Sequence, residues 1–399
     1  MRISTSMMFD MGVSRLQDLQ SNIVKTQQQI STGRRVLTPA DDPVAAASAL
    51  GVNQAISMND QYTVNRQNAK SSLSEEESNL SAATTLLQNI KTIVVAAGNG
   101  ALDDTQRQDY VTQLRSNFDE LLAIANTKDS QSNYMFAGYQ NGTQPFSKSA
   151  SGATYAGDQG QRLLQVGPSR QMAVSDSGTT VFEKNATGNG HFATAAGAAN
   201  TGTGIISTGS ASDPTLLDSA THTLTFAVDA VTGATTYLVD GAGAPQPFTD
   251  GQSITVGGAQ FSIKGSPADT DTFTLAPSTD QSIFTTLNDL INTLSASGVG
   301  AANQTKMANG LATANANIDS ALNNISAVRA SVGSRLSEVD DLDSAGSDLA
   351  IQYAKTLQNL QDIDPVAAYS SLTQQQYTLQ AAQQSFITIT GLTLFNYLK

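Results

Sequence analysis

Cysteine and tryptophan are absent from this 399-residue chain, histidine occurs twice, and charged residues make up only 14% of it. Each shortage removes a class of function. Without cysteine there are no disulfides, no thiolate metal ligands and no thiol nucleophile. Imidazole comes only from His191 and His222, both in a polar Gly/Thr-rich stretch, so a Ser-His-Asp arrangement lacks credible parts. The formal net charge of −13 argues against nucleic acid, whose phosphates are held by cations that this chain mostly lacks. It argues equally against an anionic membrane surface. No run of about 18 apolar residues marks a membrane span. The mixed polar start after Arg2 lacks the apolar core of a cleavable secretory signal. Export by a route that leaves the chain uncut stays open. No catalytic residue, cofactor or metal is expected. Ser, Thr, Gln, Asn, Ala and Gly fill the chain instead, giving a neutral polar surface suited to packing against copies of itself.

Both ends read as helix. Phe9, Leu16, Leu19, Ile23 and Ile30 fall on 3/4 spacing, with Gly12 and Thr26 in the remaining slots of the stripe. Ser4 or Ser6 is placed to cap this helix and Gly33 to stop it. An extended link, Val36-Leu37-Thr38-Pro39, leads to Asp42 before Pro43, an N-cap followed by proline at the first helical position. From there Tyr62, Ala69, Leu73, Leu80, Ala83, Leu87, Ile90 and Val94 form one stripe, broken only by Glu76. A continuous helix over that span is ~80 Å long at ~1.5 Å per residue, and a stripe so narrow needs a partner helix beside it. Asp103 and Asp104 cap a further helix with the stripe Val111, Leu114, Phe118, Leu121 and Ala125.

Helix resumes after Ser278. Ile283, Leu287, Leu290 and Leu294 mark one face, which Gly298 and Gly300 break. Leu311, Ala314, Ile318, Ala321, Ile325, Val328 and Val332 mark the next, continued by Val339, Leu349, Tyr353, Leu357 and Leu360. Pro365 starts the last helix, where Leu372, Leu379 and Phe386 stand seven apart, interleaved with Ala368, Gln375, Ala382 and Ile389, a coiled-coil spacing. Gln375 and Thr26 dilute the two terminal stripes, and short isolated helices are marginal in water. Those stripes are therefore expected to pack between subunits, with the free subunit folded from about Pro43 to Leu342 and looser at both ends.

The middle of the chain reads differently. Leu224, Phe226 and Val228 alternate with polar or small residues, as do Tyr237 and Val239. Ile254 and Val256 join Phe261 and Ile263 across Gly257-Gly258, a two-residue hairpin signal. Phe273 and Leu275 add a strand. Residues 186–212 have too little apolar content for a core and read as a loop or poorly ordered insert. Asp269-Thr270-Asp271 lacks the further acidic ligands of a calcium loop and reads as a turn. Gly202-Thr203-Gly204 neither follows a strand nor opens a helix, so it is no nucleotide loop. Asp340, Asp341 and Asp343 read as solvated surface.

The economical architecture is mainly α with an inserted β domain. Long helices from both termini pair antiparallel as discontinuous coiled-coil or bundle domains, with a small antiparallel β domain at the tip. The expected divisions are 1–40 with 350–399, 41–140 with 281–349, and an insert at 141–280.

Several motifs point to a family. Met1-Arg2-Ile3-Ser4-Thr5, Gln29-Ile30-Ser31-Thr32-Gly33-Arg34-Arg35-Val36 and Pro39-Ala40-Asp41-Asp42-Pro43-Val44 resemble the start of flagellin-superfamily proteins. Tyr134-Met135-Phe136-Ala137-Gly138 with Pro145-Phe146 resembles the hook–filament junction family within it, and Ser31-Thr32-Gly33 and Asp41-Asp42-Pro43 depart from the flagellin forms. Val332-Gly333-Ser334-Arg335-Leu336 is similar to a phrase shared across the superfamily. Leu379-Gln380-Ala381-Ala382-Gln383-Gln384-Ser385-Phe386 followed by Leu394-Phe395-Asn396-Tyr397-Leu398 is the most specific piece. The resemblance implies a structural component of the flagellum outside the cell, joining the hook, through another hook-associated ring, to the filament by helical self-assembly. A filament-forming flagellin is the alternative. It also implies flagellin, an export chaperone and the flagellar type III export apparatus as partners. Assembly contacts are expected at Leu16, Leu19, Ile23, Ile30, Leu372, Leu379, Phe386, Ile389, Leu394 and Phe395. Chaperone contacts are expected at Leu372, Leu379, Phe386 and Leu398.

Overall fold

The computed structural model describes residues 5–99, 102–211, 213–296 and 300–395. Its helices begin and end where local chemistry places them. α1 (Thr5–Thr32) stops at Gly33, whose φ of +70° suits glycine. The Ser4 cap expected for it lies outside the described residues, and Ser6 falls within the helix. Asp42 caps α2 (Pro43–Ala97) by accepting the Ala45 N–H at 2.9 Å. A capping box between Asp103 and Gln106 opens α3 (Asp104–Ala125). Ser282 caps α4 (Ile283–Ser295), and α5 (Ala301–Gln361) follows Gly300. Asp364 accepts the Val366 N–H at 2.9 Å at the start of α6 (Pro365–Phe395).

The chain divides into two compact units, Met1–Val64 with Leu342–Lys399, and Asn65–Asp341. In the second, α2 and α5 run antiparallel, registered by Lys70–Asp340 at 2.6 Å, Glu77–Arg329 at 2.6 Å and Lys91–Asp319 at 2.5 Å. The stripes read from the sequence, Ala69 to Val94 and Leu311 to Val332, are buried along this pair. Exposed ion pairs contribute little individually, so the apolar seam carries the association and the charges select its register. By length and composition alone α2 is also long and apolar enough to cross a membrane. Half of its most apolar stretch is already covered by the protein itself.

α3 and α4 meet through Phe118 and Phe284, whose rings lie edge to face at 5.6 Å. Phe284 continues into a fully buried cluster with Phe136, Phe146 and Phe182, ring centroids 5.2–6.0 Å apart. Phe136 and Phe146 belong to the two motifs that resemble the junction family. The Tyr155 hydroxyl reaches the Phe136 and Asp158 carbonyls at 2.9 and 2.7 Å, closing the cluster on one side. These short motifs are therefore core anchors.

Fifteen short strands lie among the described residues. β1 (Phe146–Ser149) pairs with β2 (Gly152–Tyr155), and β3 (Leu163–Gly167) with β4 (Arg170–Ala173). Beyond β5 (Asn185–Ala186) come β6 (Phe192–Ala196), β7 (Ile205–Ile206), β8 (Ser210–Ala211), β9 (His222–Val228), β10 (Thr235–Val239), β11 (Ala242–Pro247), β12 (Ser253–Val256), β13 (Ala259–Lys264), β14 (Thr272–Pro277) and β15 (Asp280–Gln281). An antiparallel sheet orders β11-β10-β9-β14-β6, and a second orders β12-β13-β7. Their inner residues, among them Leu224, Phe226, Ile254, Phe261, Ile263 and Phe273, make one core. Gly257 and Gly258 take φ of +53° and +79° in the β12–β13 turn, the left-handed pair a two-residue hairpin requires.

Residues 186–212 are not the loop expected from their composition. β6 is an edge strand of the larger sheet, β7 and β8 pair with β13, and Phe192 and Ile206 are buried in the common core. Two well-placed apolar residues and long-range backbone pairing suffice where local periodicity is missing. Helix also resumes later than expected, because Asp280 and Gln281 first pair with β5.

Asp271 explains its motif. It is buried, with Oδ1 accepting the Thr201 N–H at 2.8 Å and Oδ2 accepting those of Gly202 at 3.0 Å and Ala268 at 2.8 Å. Asp269 accepts the Val228 N–H at 3.2 Å from the neighbouring strand. Replacing Asp271 by Ala strands three N–H groups and is expected to cost about 3 kcal/mol of stability, read as a lower urea midpoint. Asp269→Ala, which loses one exposed bond, is expected to change the midpoint much less.

Candidate assembly interface

Taken alone, the unit made of Met1–Val64 and Leu342–Lys399 has very little core. Its buried apolar residues are Ile23, Val36, Ala45, Ala49 and Ala368 among the described residues. Met7, Met11, Val24, Leu50, Ile351, Val366 (80% exposed), Tyr369, Tyr377 (74%) and Ile387 all face outward. Water-exposed apolar side chains this dense are the kind that marks an interaction surface.

The unit is organised by α1 and α6, which lie antiparallel. The Phe9 and Phe386 rings meet at 5.2 Å. Gly12 lies beneath the same phenylalanine: a Cβ there would sit 2.6 Å from its ring, so the close approach needs glycine. Further along, the Thr26 hydroxyl donates to Gln375 Oε1 at 3.1 Å. The two polar residues that dilute the stripes thus answer one another within one chain. Near the helix ends a groove of about 480 Å³ opens between Met8, Met11, Leu16, Phe386 and Ile389. In the same unit Asn59 of α2 donates to the Gly346 carbonyl of α5 at 2.9 Å.

The motif between α1 and α2 builds a corner. Arg35 N–H donates to the Gln361 carbonyl at 2.6 Å, and Ile363 N–H to that of Gly33 at 3.0 Å. The Arg35 guanidinium reaches the Leu360 carbonyl at 3.0 Å and Asp42 at 3.1 Å. Asp41 pairs with Lys25 at 2.6 Å and accepts the Leu37 and Thr38 N–H groups. The Lys25 ammonium, followed by the Thr38 N–H, holds the Asp41 carboxyl down at about 2. A depressed carboxylate contributes above its unfolded value of 3.8 and is lost as pH falls through about 2. The corner therefore stays charged and closed across physiological pH.

Of the expected interface residues, Ile23 is buried and Leu16, Leu19, Ile30, Leu372, Leu379 and Phe386 are half-buried. Ile389 is exposed, while Thr390 one residue on is half-buried, because 3.6 residues per turn drift from a strict seven-residue repeat. Leu394 and Phe395 lie in α6 with side chains outside the described residues, as is all of Leu398. The exposed apolar residues off the stripes were not singled out from the sequence. The signal was there: Val24, Tyr369, Tyr377 and Ile387 are large apolar residues on faces where a solvated helix carries charge.

The chain is similar to several known proteins. The family model described as the bacterial flagellin N-terminal helical region matches residues 3–141. Flagellar hook-associated protein 3 of Escherichia coli K12 is 30% identical over 399 residues, the whole of both chains. The flagellar filament 41 kDa core protein of Borreliella burgdorferi is 28% identical over 105 residues, 26% of this chain and 31% of its own. Among solved structures, flagellar hook-associated protein 3 of Legionella pneumophila matches with TM-score 0.74 at 32% identity, over 77% of this chain and 98% of that one. The flagellar junction protein FlgL of the same organism matches with TM-score 0.72 at 31% identity, over 79% and 100%.

With so few buried side chains, α1 and α6 are expected to exchange amide hydrogens in dilute subunit far faster than Leu80–Val94 of α2. Equal protection of the two regions would contradict this. Leu379→Asp puts a carboxylate on the half-buried seam and is expected to weaken the α1–α6 pair by about 2 kcal/mol. Far-UV helical signal should fall while protection of Leu80–Val94 is unchanged.

Proposed function

The chain belongs to the family of flagellar hook-associated protein 3, and on that premise we propose that it is the adaptor joining hook to filament by helical self-assembly. It is a structural component of the bacterial flagellum and assembles with other flagellar components. The observation that carries the junction reading is the likeness to hook-associated protein 3 over the whole chain, β region included. The likeness to a filament protein stops at about a quarter of it. A filament-forming flagellin is the less supported reading.

The assembly surface is the α1–α6 pair with its flanking faces. Leu16, Leu19, Ile23, Ile30, Leu372, Leu379, Phe386 and Ile389 lie on or beside the seam, with the outward apolar residues around it, and Leu394 and Phe395 complete the proposed set. Copies of the chain form a ring, with another hook-associated protein on the hook side and flagellin on the other. Residues 1–40 with 350–399, 41–140 with 281–349, and 141–280 are the chain's three divisions, the first serving as the inner layer of the assembly and the last facing outward from it. The protein works without catalysis, cofactor, nucleic acid or membrane, which accords with its composition. It leaves the cell uncut through the flagellar type III export apparatus. An export chaperone covers Leu372, Leu379, Phe386 and Leu398 beforehand, since so apolar a surface aggregates when left bare in a crowded cytoplasm.

A strain lacking the gene is expected to keep hooks, lose filaments and release flagellin monomer into the medium. Absence of secreted monomer would favour the filament reading. Tyr377→Asp, on an exposed face, is expected to abolish motility without altering subunit helicity, and normal motility would remove that face from the interface. In a pull-down, truncation after Asn359 is expected to abolish chaperone capture.

A further inference from the structure

One interruption of the α2 stripe remains unexplained: Glu76, a carboxyl 2% exposed at a seam position between the buried Leu73 and Leu80. Its Oε1 accepts the Asp176 N–H at 3.0 Å, and its Oε2 is buried with no hydrogen-bond partner among the described residues. Asp176, in the segment after β4, is buried too. It takes a hydrogen bond from Gln161 Nε2 at 2.7 Å and an ion pair from Arg335 of α5. Arg335 also donates to the Ala173 carbonyl at 3.0 Å. Two buried carboxyls thus face one half-buried guanidinium, which pairs directly with Asp176. The other charges nearby are engaged elsewhere. Glu77, beside Glu76 on α2, is held by Arg329, and Arg162 by Asp129 at 3.5 Å.

We propose that the folded protein binds one proton in the Glu76–Asp176 carboxyl pair at neutral pH, and that its departure loosens the Ala173–Gly178 segment from α2 and α5. Charge counting leads there. With both carboxyls ionised the site holds two negative charges against one positive, and a buried uncompensated charge is unfavourable. A proton on the pair neutralises the site and supplies the missing donor, because a carboxyl-to-carboxyl hydrogen bond forms only when one partner is protonated. Burial, then the Asp176 charge, raise the Glu76 carboxyl to about 8, against the lowering effect of Arg335. The segment that would loosen ties several elements together. It bonds to Glu76 through Asp176 and to Arg335 through Ala173, and Gly178 N–H donates to the Phe136 carbonyl at 2.8 Å in the aromatic cluster. The Arg335 motif that resembles a superfamily phrase is, in this view, the cation of a proton site.

The sign follows from linkage. Glu76 rises from 4.5 when unfolded to about 8 when folded, so its contribution is complete below 4.5 and lost as pH rises through about 8. Between those values folding takes up a proton, and the folding constant falls by up to about tenfold per pH unit. His222, raised by its hydrogen bond to Asp240, acts in the same direction, so the difference between wild type and Glu76→Gln isolates the site.

The test uses full-length chain unfolded in urea from pH 5 to 9, followed by the near-UV signal of its tyrosines. Wild type is expected to lose stability across this range more steeply than Glu76→Gln, which should be the more stable at pH 9. The infrared band of a protonated carboxyl should be present in wild type at pH 7 and absent from the variant. Equal slopes, or no such band in wild type, would overturn the proposal. If Glu76→Gln fails to fold, Asp176→Asn serves in the same two measurements, with the same outcomes deciding.

Discussion

Antiparallel pairing of α2 with α5 is the constraint on which the rest of the structure depends. Each helix is far longer than a single apolar stripe can stabilise in water, and each finds its partner more than 200 residues away in sequence, as the pairing of Lys91 with Asp319 illustrates. Closing so long a loop is costly in chain entropy, though that cost grows only slowly with length. The buried run from Ala69 to Val94 against Leu311 to Val332 offsets it. Once the pair exists, everything between the two helices is an insertion anchored at both ends. α3, α4, the Phe136–Phe146–Phe182–Phe284 cluster and the sheets fold within that frame.

The same pairing logic gives opposite outcomes at the two units. From Asn65 to Asp341 the helices are covered by further layers, and their stripes are buried. In the terminal unit α1 and α6 share one narrow seam that contains glycine, threonine and glutamine, and large apolar side chains remain on the outer faces. The difference in burial turns one unit into a self-sufficient fold and the other into an unfinished surface. For a protein that joins two lattices this division is useful. The central unit buries its own apolar stripes, while the terminal unit leaves large apolar side chains for neighbours to cover under the proposed assembly. The closed corner of Lys25, Arg35, Asp41 and Asp42 keeps the two terminal helices attached in a defined geometry within their unit.

Buried polar residues do specific jobs in this chain. Asp271 gathers three backbone N–H groups that no strand partner satisfies, and so fixes the turn before β14. Asn59 is likewise spent on a backbone carbonyl across the terminal unit. Glu76 differs, because its second oxygen finds no donor. The motifs that resembled a known family divide in the same way. Phe136 and Phe146 are apolar anchors, Arg335 is a half-buried cation paired with the buried Asp176, and the Arg35–Asp42 phrase is a corner.

Much of this was legible in the sequence because its signals are local. Gly33, Asp42, Asp103 and Pro365 mark helix boundaries through their own φ preferences and hydrogen-bonding groups. The stripes of α2, α4 and α5 follow from 3.6-residue spacing, and Gly257-Gly258 specifies its hairpin by left-handed backbone alone. Other features were not legible. Phe192 and Ile206 carry no periodic signal, and their strands exist only because β13 and β14 present open edges to them. Nor does spacing say which stripe meets which, why Thr26 faces Gln375, or that the apolar residues off the terminal seam stay uncovered. Capping, turn geometry and periodicity were determined by the sequence itself, since each acts over a few residues. Partner choice, solvent exposure and the charge balance at Glu76 were decided only by tertiary structure, because burial and electrostatics depend on groups brought together from hundreds of residues apart.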